Sequence, residues 1–143
     1  MLLFKWVALS GILYIGLFFY NQNVAYKNCF KIMQMAELAM LLAASAKLIY
    51  FIFNTPQTIQ DVQYFYPLAI TQFFTLKQIA SYLVYPLQQF NLFELGYWVL
   101  ITSGIQTFTQ KNFWQSLKIT ASSYGVAMFI WLLFIVFIQL QFS

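Results

Sequence analysis

The sequence predicts an all-α integral membrane protein with four transmembrane helices plus a re-entrant or interfacial helical hairpin; the alternative is five transmembrane helices. Three observations predict it. Of the 143 residues 62% are hydrophobic and only 7% charged, against roughly 25% charged in an ordinary soluble domain. Apolar runs of spanning length recur along the chain, separated by short polar stretches. The lysines cluster in the stretches that follow the first and fourth apolar runs.

The first run, "MLLFKWVALSGILYIGLFFY", is read as a retained span over about residues 2–20, because no A-x-A cleavage pattern interrupts it. The polar stretch "NQNVAYKN" follows and carries Lys27. Lys31 lies just inside the second span, about residues 29–53, which closes at "NTPQTIQD", where Pro56 ends the helix and Asp61 supplies a loop acid. A third segment, about residues 62–88, is apolar and aromatic, but Pro67, Lys77 and Pro86 divide it into pieces. Neither piece reaches the ~20 residues of a full span. The fourth run, about residues 91–108, starts at Asn91, a good N-cap, with Glu94 three positions later. The last span covers about residues 117–140. All of this forms one domain, 1–143.

Lysine placement decides how the third segment lies. If it crossed the bilayer, the loop with Lys27 and Lys31 and the loop with Lys111 and Lys118 would face opposite sides. If it dips in and returns near Thr75, both loops face the cytoplasm, both termini and Asp61 face out, and the positive-inside rule is met. Lys5 on the outer side counts against this arrangement but is outnumbered by four lysines. Tyr and Trp residues near the span ends, including Trp6, Tyr20, Tyr64, Tyr85 and Trp114, fit an aromatic belt.

Charges inside the spans are the candidate functional residues. Lys47 and Glu94 fall at similar depth in this topology and form a candidate ion pair, which would spare each a cost of roughly 2.5–3.5 kcal/mol. The competing reading is that Lys47 snorkels to the headgroups and Glu94 caps its helix. Glu37 lies about 10 Å inside a core ~30 Å thick. It is expected to face protein, in a candidate intramembrane polar site with Ser103, Ser122, Ser123 and Tyr124, and with Thr102 nearby. Small-xxx-small pairs, Ala39 with Ala43 and Ala121 with Gly125, allow close helix approach.

Other chemistry has little to draw on. The chain has no His and a single Cys, Cys29, which removes the commonest general base and excludes an intrachain disulfide or a multi-cysteine metal site. No nucleotide-binding or hydrolase motif occurs, so no catalytic residue, cofactor or metal is expected. Every cation is Lys and none Arg, which disfavours nucleic acid as a partner.

The strings "YPLQQFNLFELGYW" and "SLKITASSYGVAMFIWLLFIVFI", with the hydrophobic layout of nearly the whole chain, resemble small bacterial multi-span proteins of the Yip1-like type. That resemblance implies five spans, against the lysine argument for four and a hairpin. It also implies an adaptor role without enzymatic activity, and it carries no functional residue over. The expectation is a non-enzymatic membrane subunit or scaffold of a larger bacterial cytoplasmic-membrane (inner-membrane) complex, with the lipid bilayer and other membrane subunits as partners. The alternative expectation is a small oligomeric proton or ion channel or carrier using Glu37.

Overall fold

A computed structural model describes residues 2–57, 59, 62, 65–73 and 80–142. Among them the chain is helical, with no named strand. We number the helices α1 (Leu2–Phe19), α2 (Tyr26–Phe53), α3 (Ser81–Gln89), α4 (Leu92–Thr109) and α5 (Phe113–Phe142). Within α5, Ala121–Gly125 forms one wide π-helical turn. Asp61, Tyr64, Thr75 and Lys77, which entered the sequence reading, lie outside the described residues.

Two helices, α2 and α5, are long and apolar enough to cross a membrane, and α1 is a shorter apolar helix. At 1.5 Å per residue α2 is about 42 Å long and α5 about 45 Å, whereas α1 and α4 each reach about 27 Å. The long pair therefore extends past the short pair at one end.

Close contacts fix the packing. Ala39 faces Gly96 and Ile32 faces Gly104, so α2 and α4 run antiparallel. Trp98 lies against Gly125, and the Thr102 and Thr120 hydroxyls meet at 3.1 Å, so α4 and α5 are antiparallel as well. Helix α1 turns back onto α2, with the Tyr14 and Tyr26 rings 6.2 Å apart, and Gly16 meets Ser123 of α5. The four helices close into a ring, α1 to α2 to α4 to α5 and back to α1. One consequence is that the α1–α2 turn and the α4–α5 turn sit at the same end. The core fills the half of the bundle nearest these turns, with Leu13, Leu17, Met33, Tyr97, Ile101 and Ile119 buried between the helices.

Local sequence explains the helix ends. Asn91 is extended and its side-chain Oδ1 accepts the Glu94 amide at 2.8 Å, the N-cap geometry that satisfies an orphan donor of the first turn. Helix α4 ends at Gln110, which adopts the left-handed conformation with φ 54° and bonds back to the Gln106 carbonyl. Pro86, expected to cut the third segment, lies within α3 instead. A nine-residue helix loses only one backbone bond to a proline at its sixth position, which it tolerates.

Helix α3 ends at the break Phe90–Asn91, immediately before α4. Irregular backbone beside apolar helices needs internal hydrogen-bond partners. The stretch 68–70 supplies them: the Ile70 amide bonds the Phe90 carbonyl at 3.1 Å, and the Leu92 amide bonds the Leu68 carbonyl at 3.4 Å. Ala69 and Asn91 form an isolated antiparallel bridge there.

Candidate functional site

The polar centre of the bundle lies where the short helices α1 and α4 begin. Lys5, near the start of α1, places its Nζ 3.0 Å from both carboxylate oxygens of Glu37 on α2. The Lys5 side chain remains 40% exposed while that of Glu37 is 10% exposed. The same ammonium stands 5.5 Å from the centre of the Tyr97 ring on α4, within cation–π range. One lysine thus ties three helices together.

A second acid stands on the α4 side. Glu94 is buried and its Oε1 accepts the Tyr124 hydroxyl of α5 at 2.7 Å and the Trp98 indole N–H at 3.2 Å. The π turn holds Tyr124. Such a turn carries one extra residue per backbone ring, which shifts the side chains that follow relative to a regular helix. The Tyr97 and Tyr124 rings pack at 5.2 Å, and the Tyr97 hydroxyl approaches the Met33 sulfur at 3.7 Å.

The segment before α3 reaches this centre too. The Tyr66 hydroxyl lies 4.0 Å from the Met40 sulfur. Burial pushes the Tyr66 phenol above its ordinary value, and the neighbouring Glu94 pushes it further in the same direction.

The predicted site residues divide accordingly. Glu37 faces protein, as expected, but its partner is Lys5 rather than the serines. Ser103 donates to the Val99 carbonyl, and Ser122 and Ser123 both donate to the Ile119 carbonyl. A mid-helix serine returns its proton to its own helix when no better acceptor is near. Tyr124 does meet an acid, though that acid is Glu94. Thr102 pairs with Thr120.

Among the described residues, the expected Lys47–Glu94 ion pair does not form, and the one salt bridge joins Lys5 to Glu37. The register gives the reason. Lys47 is eight residues beyond Ala39 while Glu94 is only two before Gly96, and Ala39 faces Gly96. The two are therefore offset by six residues, about 9 Å along the axes.

Sequence reasoning missed Lys5, which it treated as a flanking charge. The signal was available, because in a tight antiparallel pair joined by residues 20–25 the positions that face each other sum to about 45, which sets Lys5 within a turn of Glu37.

The described residues include no group of three or more metal-ligating side chains. Cys29 is free and buried. No family model, no curated protein and no solved structure matches this chain. The described residues form an all-helical chain with two membrane-crossing candidates, α2 and α5.

Proposed function

We propose that this chain is an integral membrane protein that serves as a non-enzymatic subunit or scaffold of a larger assembly in a bacterial cytoplasmic membrane. In this reading α1, α2, α4 and α5 all cross the bilayer, so that α2 ends and α4 begins on the same side. The observation that carries the proposal is how the intramembrane charges are used. Lys5 is spent on Glu37, and Glu94 is held by Tyr124 and Trp98. These groups cross-link α1, α2, α4 and α5, leaving an outward surface of apolar side chains such as Leu41, Leu48, Phe129, Phe134 and Phe137. Large apolar side chains exposed in such number belong against lipid or against other spans.

The test is purification in mild detergent with identification of the chains that travel with it. Expected are resistance to alkaline carbonate extraction and stoichiometric recovery of larger membrane subunits, both retained in Glu37→Gln. A chain that purifies alone and drives a pH-dependent flux in liposomes, abolished by Glu37→Gln, would replace the scaffold reading with the channel or carrier one.

A further inference from the structure

We infer that the end of the bundle formed by the two short turns is a binding surface for anionic phospholipid headgroups. The inference rests on the membrane reading above and adds a ligand to it. Antiparallel packing brings four lysines to this one end: Lys27 and Lys31 at the start of α2, Lys111 in the α4–α5 turn, and Lys118 in the second turn of α5. Lys27, Lys31 and Lys118 are exposed.

No described acid offsets them. Glu37 lies eleven residues into α2, about 16 Å from its start and about 9 Å along the axis from Lys31, and Glu94 lies fifteen residues before the end of α4, about 22 Å from that end. Both acids are also engaged with partners in the polar centre.

A second, independent feature has the same sign. Helices α2 and α5 both begin at this end, and neither receives a side-chain cap: Ala25 has no side-chain oxygen, and the Asn112 side chain accepts no bond from the turn it precedes. Uncapped first-turn amides carry partial positive charge and point outward, so they favour phosphate oxygens. Helices α2 and α5 sit diagonally in the ring. With neighbouring axes about 8–10 Å apart, two such amide clusters and four ammonium groups share a patch the size of a few headgroups. Exposed Tyr26 and Trp114 flank it with rings suited to the interface. Juxtamembrane lysines each attract an anionic leaflet.

The experiment uses the full chain in a neutral detergent and follows thermal unfolding as phosphatidylglycerol or phosphatidylcholine is added. Phosphatidylglycerol is expected to raise the midpoint by several degrees, with the rise shrinking as salt is added. Phosphatidylcholine is expected to do much less. The variant Lys27→Gln, Lys31→Gln, Lys111→Gln, Lys118→Gln should unfold like the parent in phosphatidylcholine and lose the phosphatidylglycerol response. Should that variant fail to fold, the four Lys→Arg changes provide the second arm and must retain the response.

Equal shifts from both lipids, a response that survives the four Gln substitutions, or one lost in the Arg variant would overturn the inference. So would a shift produced by an acidic peptide but not by the lipid, which would mark a protein partner. Failure of the membrane reading itself would show separately, as a chain released by alkaline carbonate.

Discussion

The Lys5 ammonium bonds both oxygens of Glu37 at 3.0 Å across thirty-two positions of chain, an ionic tie between the first two helices. Removing one member of a buried pair strands the other charge, at a cost of about 3–5 kcal/mol. The partial exposure of Lys5 lets water or headgroups relieve part of that. Lys5→Met is therefore expected to destabilise the protein by about 2 kcal/mol in detergent unfolding. Lys5→Met combined with Glu37→Gln should recover much of the loss, because no unpaired charge remains. Lys47→Met should cost less than Lys5→Met. Additive losses at Lys5 and Glu37 would show that the two do not interact.

Glu94 gives a parallel test on the other side of the bundle. Tyr124→Phe removes the 2.7 Å donor and leaves the acid with the Trp98 indole alone. The expected loss is about 1–3 kcal/mol, since a buried acceptor loses a partner without gaining water. Glu94→Gln keeps an acceptor of the same shape and should be milder. In the double variant the losses should be less than additive, and full additivity in thermal unfolding would count against the contact.

Much of this arrangement was legible in the sequence. Apolar runs between polar breaks match α1, α2, α4 and α5 to within a few residues, and Asn91 with Glu94 marks the start of α4. Lateral partners were less accessible, because which face of a helix meets which neighbour depends on register and rotation. Glu37 is buried, and its partner lies on α1 rather than among Ser103, Ser122 and Ser123. The π turn at Ala121–Gly125 had no signature in composition or spacing, and it holds both Ser123, which meets Gly16, and Gly125, which meets Trp98.

Glycines separate close approach from mere flexibility. A Cβ on Gly104 would stand 2.8 Å from Ile32 Cγ2 and 2.9 Å from Cγ1, on the β-branched carbon of a buried neighbour that cannot swing away. Gly104→Ala is expected to cost about 1–3 kcal/mol by forcing α2 and α4 apart. Gly11 has nothing within 4 Å of the added carbon, and Gly96 meets only Ala39 at 3.7 Å. Alanine at either position should be tolerated, and at Gly11 helix propensity should even favour it. Unfolding midpoints that fall equally for all three would sink the packing scheme.

Topology can be read from which side each turn can be labelled. Cys29 is buried, so a Cys29→Ser background gives a chain without thiols into which single cysteines can be placed. The antiparallel contacts Ile32–Gly104 and Trp98–Gly125 put the α1–α2 and α4–α5 turns at one end. Asn23→Cys and Gln110→Cys should then react with an impermeant maleimide from the same face of sealed vesicles, and Gln57→Cys from the other. A five-span arrangement requires one more crossing between α2 and α4, which would put Asn23 and Gln110 on opposite faces. Labelling of those two from opposite sides would require α4 to run parallel to α2. The Gly96–Ala39 and Gly104–Ile32 contacts cannot both exist in that orientation.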